Sequence, residues 1–310
     1  MTTTTLTNST AAGRAGDKVF SGATLAAGIL ILAVLFGVAL FLVVQAVPAL
    51  FANPADIQGG QGFWAYIWPI VIGTLIAAII ALVIATPIAI GVALFISHFA
   101  PRRLASGLGY VIDLLAAIPS VVYGAWGAAF LSREISPAYG WLAENMGWLP
   151  IFQGPASATG KTILTAGIVL AVMVLPIITS MTREIFLQTP KLHEEAALAL
   201  GATRWEMIKM AVLPFGRPGI ISAVMLGLGR ALGETMAVAL VLSSGALTAS
   251  LIQSGNQTIA AEIALNFPEA GGIKVNTLIA AGLVLFVITL GVNMIARWII
   301  TRHKEFSGAN

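Results

Sequence analysis

Long apolar runs separated by short polar stretches divide the chain. They cover roughly residues 19–47, 66–97, 106–131, 162–182, 216–243 and 275–299. A helix needs about 20 apolar residues to cross a hydrocarbon layer ~30 Å thick, and each run meets that length. The pattern predicts an all-α integral membrane protein with six transmembrane helices in one domain, residues 19–303. The first run is much longer than the core of a signal peptide and has no cleavage pattern, so it is expected to span. Residues 1–18 are rich in Thr, Ala and Gly and are expected to be a disordered tail, with a second short tail at 304–310. Proline interrupts three runs, at Pro87, Pro119 and Pro176. Such breaks persist in membranes where neighbouring helices or water satisfy the freed backbone groups. There is no convincing internal repeat.

One polar connection, between the fourth and fifth runs, has a pattern of its own. Thr189-Pro190 reads as a helix start, with a cap residue followed by proline. Ala196 to Leu200 continue that helix, and Gly201 can take the left-handed conformation that ends it. Thr203 and Glu206 stand in capping-box spacing and open a second helix, and Pro214 hands over to the fifth run. A short helix with small apolar residues beside Glu194 and Glu195 suits docking into a partner's groove. A loop that merely folds back on itself would read the same way.

Composition excludes an ordinary soluble domain. The chain is 58% hydrophobic and 9% charged, against about 25% charged for soluble domains. It has no cysteine, which excludes disulfides and thiolate metal sites. His98, His193 and His303 are scattered and form no ligand cluster. The net charge of +3 matters less than its distribution. Arg14, Lys18, Arg102, Arg103, Arg183, Lys191, Arg204, Lys209, Arg217, Arg297, Arg302 and Lys304 fall on one side of a six-span arrangement. Only Arg133, Lys161 and Lys274 fall on the other. The positive-inside rule then predicts cytoplasmic termini and a cytoplasmic 184–214 connection. On the opposite side, Trp141 and Trp148 suit a membrane–water interface, and the stretch TIAAEIALNF (258–267) is expected to lie on the surface as an amphipathic segment.

Four motifs bear on chemistry. Asn8-Ser9-Thr10 matches a glycosylation sequon by a pattern that arises easily by chance. GPASATGKT, Gly154 to Thr162, resembles a phosphate-binding loop, but it has five residues between its glycines instead of four and no preceding strand. It is expected not to bind nucleotide. The third run holds DLLAAIPSVVYGAWG, in which Asp113 is ionisable and Pro119-Ser120 can break the helix. This reads either as a bent pathway-lining helix or as a snorkelling acid beside a covered kink. The fifth run holds GLGRALGETMAV, Gly227 to Val238. Gly229 and Gly233 are expected to allow close helix contact. Arg230 and Glu234, four residues apart, are expected to share one face. A charge near mid-membrane costs about 2.5–3.5 kcal/mol on insertion scales, so lipid-facing placement is disfavoured. Arginine can grip an oxyanion with two parallel hydrogen bonds; a structural ion pair is the other reading.

Glu195-Ala196-Ala197, then Gly201, then Leu213-Pro214 resembles the EAA loop of ABC-importer permeases, with Ala211 where that family usually has isoleucine. Asp113 ahead of Ile-Pro-Ser-Val-Val-Tyr-Gly (118–124), and Gly-Arg-Ala-Leu-Gly-Glu-Thr (229–235), resemble the PstC-type phosphate permeases within it. The resemblance covers about residues 19–300. It implies an ABC type I importer permease fold and a multi-pass subunit of the bacterial inner membrane that moves inorganic phosphate and is not itself an enzyme. It implies a heterodimer with a PstA-type permease, two PstB-type ATPase subunits that bind ATP and Mg, and an external PstS-type phosphate-binding protein. This chain would hold no cofactor or metal and no catalytic residue. Arg230, Glu234, Ser120 and Asp113 would line the substrate pathway. Glu195, Ala196, Ala197, Gly201, Leu213 and Pro214 in loop 190–214 would couple to the ATPase. A permease for another oxyanion would keep the EAA loop; a secondary anion transporter would not need one.

Overall fold

A computed structural model describes residues 10–304 apart from 244 and 247. The residues Asn8-Ser9 of the sequon and the tails at 1–9 and 305–310 lie outside the described residues. The helices, in order, are α1 Thr10–Leu50, α2 Phe63–Leu94, α3 Arg102–Ala116, α4 Ser120–Trp126, α5 Ser132–Met146, α6 Ile163–Leu187, α7 Lys191–Ala199, α8 Arg204–Met207, α9 Leu213–Leu232, α10 Met236–Val241, α11 Ile259–Asn266 and α12 Ile273–Lys304. A π-turn, Phe95–Phe99, extends α2; Gly127–Leu131 joins α4 to α5; Ile208–Val212 joins α8 to α9. No strand occurs among the described residues. Among the described residues five helices are long and apolar enough to cross a membrane, and six if the bent pair α3 and α4–α5 is counted as one span.

The packing core is the pair α2 and α6, the most extensive helix contact in the protein. Ala77, Ala81, Ala85, Ala89 and Ala93 recur every fourth residue along α2 and are almost fully buried. That ridge of small side chains brings α2 close to Ala166, Leu170, Met173 and Val174 of α6. In a membrane, helix association depends on such close packing, because lipid chains are as apolar as leucine. α9 leans on the other side of α6. A Cβ at Gly219 would lie 2.7 Å from Ile185, and one at Gly227 would lie 2.8 Å from Ile178. α1 packs chiefly along α12 and leaves Leu32 and Phe36 exposed, surface that is covered by lipid or by another chain.

Several elements differ from expectation. α1 begins at Thr10, so residues 10–18 are helical instead of a disordered tail. Alanine-rich sequence extends a helix that is already nucleated at little cost. Pro87 and Pro176 lie inside unbroken α2 and α6, held straight by the tight packing of those two helices. Pro119 does break its span: α3 and α4–α5 meet at 88°. The fifth run is also discontinuous, ending at Leu232 and resuming at Met236.

TIAAEIALNF is not a surface segment. Ile259, Ala260, Ala261 and Glu262 are buried where α11 packs against α2, α10 and α12. The connection 248–258 dips inward: the Gln257 carbonyl occupies the space a side chain at Gly73 would need, and the Ile259 N–H donates to Thr74 Oγ1 at 3.0 Å. Tyr66 then donates to Glu262 Oε1 at 3.0 Å. Polar residues of this stretch thus find partners on α2 instead of water.

Candidate functional site

The two broken spans lie together. A Cβ at Gly124 of α4 would lie 2.5 Å from Ala237 Cα of α10, and one at Gly127 would lie 3.0 Å from Val241 Cγ2. Both segments therefore ascend in the same direction, in register 124 to 237 and 127 to 241. Counted back along that register, the break at 117–119 stands level with about 230–232, roughly one helical turn before the break at 233–235. Ser120 is the first residue of α4, and the Tyr123 hydroxyl bridges back across the break to the Leu115 carbonyl at 2.9 Å. The helix running from Ser120 to Met146 has its partial positive end at this level.

Arg230 lies in the last turn of α9 and Glu234 within the second break, so the two do not share one helix face as expected. The helix ends between them, so the i,i+4 geometry is lost, and no ion pair joins them among the described residues. Glu234 is 8% exposed, and its Oε1 accepts from the Ala237 N–H at 3.1 Å. Its carboxylate supplies an acceptor to one of the donors that α10 leaves unsatisfied at its start. Arg230 instead faces a cavity of about 1290 Å³ between α1, α9 and α12, with Ser222, Asn293 and Arg297 also on its walls. Asp113 is exposed on α3, and no hydrogen bond or ion pair joins it to Ser120, Arg230 or Glu234 among the described residues. The glycine pair is corrected too. Gly229 has open space around its Cβ position and Gly233 meets only the Gly229 carbonyl, so neither seats another helix of this chain among the described residues. The close approach belongs to Gly219 and Gly227, one face round.

The connection between α6 and α9 follows its sequence signals more closely. Gly201 has φ +87°, and two bonds close the end of α7: Gly201 N–H to Leu198 O at 3.0 Å and Ala202 N–H to Ala197 O at 3.2 Å. This is the double hydrogen-bond pattern of a left-handed helix end. Glu206 N–H donates to Thr203 Oγ1 at 3.3 Å, and Thr203 N–H donates to Glu206 Oε2 at 2.8 Å, completing the capping box. Thr189 does not cap: the cap position is Pro190, whose carbonyl accepts from His193 N–H at 3.0 Å. The helix starts one residue later than expected, which leaves the Thr189 hydroxyl out of reach. The six EAA positions divide. Glu195, Ala196 and Gly201 are exposed, whereas Ala197 and Leu213 pack into a cluster with Ala93, Leu94, Phe186, Met207, Ile208 and Val212. Pro214 lies in the first turn of α9. A groove of about 670 Å³ runs between α7 and α9, with Ala196, Ala211 and Pro214 on its walls.

Residues 154–162 do not form a phosphate loop. Thr162 is fully buried and caps α6 by accepting from Thr165 N–H at 3.2 Å, while Gly160 presses against the Ser132 carbonyl. Two polar pairs escaped the sequence: Tyr66 with Glu262, and His98 with Glu194, whose Nε2 and Oε1 lie 3.4 Å apart. The signals were a lone acid in an apolar stretch and a histidine at the end of a span.

Comparison with known proteins supplies a family. Residues 85–305 match the family described as binding-protein-dependent transport system inner membrane component. The chain is 46% identical over 297 residues to a phosphate transport system permease protein PstC 2 of Mycobacterium bovis, covering 92% of this chain and 91% of the relative. It is 38% identical to a PstC protein of Mesorhizobium japonicum, covering 94% and 92%. Among solved structures, a bacterial alginate ABC transporter bound to its pentasaccharide-loaded periplasmic protein aligns with a TM-score of 0.59 at 16% identity, covering 94% of this chain and 98% of that one, a likeness of fold.

Proposed function

The chain belongs to the family of binding-protein-dependent transport system inner membrane components, and from that premise we propose that it is the PstC-type permease subunit of an ATP-driven importer of inorganic phosphate. The observation that carries the substrate is the match to phosphate permeases over nearly the whole chain, at 46% identity. The exposed guanidinium of Arg230, in the last turn before the second helix break, supports it, because a planar fork with free donors suits a tetrahedral oxyanion.

In this reading the chain pairs with a PstA-type permease, two PstB-type ATPases dock on the cytoplasmic side, and a PstS-type protein delivers phosphate from outside. ATP and Mg are bound by the ATPases, and this chain hydrolyses nothing. Both termini and α7 are cytoplasmic, which the basic residues favour. Glu195, Ala196 and Gly201 present the ATPase-facing surface, and Ala197, Leu213 and Pro214 seat it on the bundle. Arg230 holds the anion. Ser120 and Asp113 line the approach. Glu234 holds α10 in place and repels sulfate, which lacks the proton that phosphate can donate to a carboxylate.

The test is reconstitution of the chain with its neighbouring gene products in liposomes. Phosphate uptake and phosphate-stimulated ATP hydrolysis are expected, with uptake reduced at least tenfold in Arg230→Lys. Arg230→Lys and Arg230→Gln both transporting at the parent rate would make Arg230 structural. Uptake of sulfate in place of phosphate would reassign the substrate.

A further inference from the structure

The coupling segment carries two adjacent acids with different surroundings. Glu195 is exposed, while Glu194 turns back toward the bundle and reaches His98. Successive residues on a helix point about 100° apart, so one acid faces outward and the other faces α2. The His98 side chain is 9% exposed and that of Glu194 is 24% exposed, with 3.4 Å between Nε2 and Oε1. It is the one pairing of a basic side chain with a carboxylate within 4.0 Å among the described residues.

His98 is held firmly. It lies in the π-turn Phe95–Phe99 at the end of α2, and its Nδ1 is 2.7 Å from Ser97 Oγ. The Ser97 hydroxyl has one proton and two near acceptors, the Ala93 carbonyl at 2.8 Å and His98 Nδ1 at 2.7 Å. When the proton goes to Nδ1, Nε2 carries the ring hydrogen and donates toward Glu194; when it goes to Ala93, Nε2 donates to Glu194 only in the doubly protonated ring. The ring stands edge-on to Phe186, centroids 6.4 Å apart. Phe186 is fully buried in the cluster that joins α2, α6, α7 and the π-turn ahead of α9. Of α7, the cluster buries Ala197. A methyl contact has no preferred direction, whereas a hydrogen-bonding pair adds one and fixes the register of α7 against the end of α2.

We propose that His98 is a positioning residue for coupling: through Glu194 it ties α7 to the cytoplasmic end of α2, so that displacement of α7 by the ATPase moves that transmembrane helix. The inference rests on the importer reading given above. α2 is packed along α6 and pinned to the inward-dipping outer segment at Gly73, Thr74 and Tyr66. A push at His98 thus reaches both faces of the membrane along one rigid element.

The experiment uses the complete importer in liposomes and measures phosphate taken up per ATP hydrolysed. His98→Leu, similar in bulk and without a donor, is expected to retain ATPase co-purification, because Glu195, Ala196 and Gly201 are untouched, while uptake per ATP falls about tenfold or more. Glu194→Leu is expected to match it, with no further loss in the double variant. His98→Gln, which restores an N–H at the position of Nε2, is expected to recover most of the ratio. A purely structural role would lower yield, hydrolysis and uptake together and leave the ratio unchanged. An unchanged ratio in His98→Leu overturns the proposal. Absence of phosphate-dependent hydrolysis in the parent complex would instead overturn the importer reading.

Discussion

The protein contains two helix–break–helix segments that solve one problem in different solvents. At 199–204 the break faces water. Gly201 adopts φ +87°, and the freed backbone groups are closed by neighbours within a few residues or left to solvent. At 232–236 the break lies within a span. Gly233 keeps φ −93°, so no left-handed residue is required, and a buried carboxylate supplies a missing acceptor by reaching the Ala237 N–H. In water an unsatisfied N–H costs little, because solvent replaces the partner. In a membrane it costs several kcal/mol, so the break must carry its own. The first break depends on backbone conformation and the second on one side chain.

Three measurements press on that difference. The all-or-none one is labelling. The chain has no cysteine, so Leu200→Cys, at a site 87% exposed, is expected to react with an impermeant thiol reagent only after the cytoplasmic side is opened. Ala158→Cys, at an exposed position on the opposite side of the bundle, is expected to react in intact cells, and Ala237→Cys, fully buried, in neither case. Labelling of Leu200→Cys from outside would reverse the orientation.

Next is Glu234. Glu234→Ala strands the Ala237 N–H at a cost of about 1–3 kcal/mol, a factor of roughly 5–150 in the population of the intact break, and uptake is expected to fall accordingly. Glu234→Gln keeps an acceptor for that N–H and removes the charge. Near-parent phosphate uptake with sulfate still excluded assigns Glu234 to capping alone. Sulfate entry, tested at high concentration without the binding protein, assigns it to recognition.

The smallest effect is at Gly201. Gly201→Val forces a branched residue to positive φ, at about 1–2 kcal/mol, in a place where nothing crowds its side chain. ATPase co-purification is expected to weaken several-fold while the membrane bundle assembles normally. Unchanged co-purification and uptake would remove α7 from coupling.

The sequence by itself determined what acts over short range. The six apolar runs follow from segment length against membrane thickness. The turn at Gly201 and the capping box of Thr203 and Glu206 follow because each partner lies within five residues of the other. The break at Pro119 follows from a missing N–H and a ring clash. Tertiary structure decided everything that depends on where a helix ends or what lies beside it. Pro87 and Pro176 do not break their helices, because α2 and α6 support each other. Arg230 and Glu234 separate, because the helix stops at Leu232 and Gly124 lets α4 and α10 pack side by side. The first half of TIAAEIALNF, residues 258–262, is buried, because the side-chain-free Gly73 admits the chain. His98 meets Glu194 across 96 residues, a distance at which local pattern carries no information, because only the packing of α2 against α6 and α7 brings the two together.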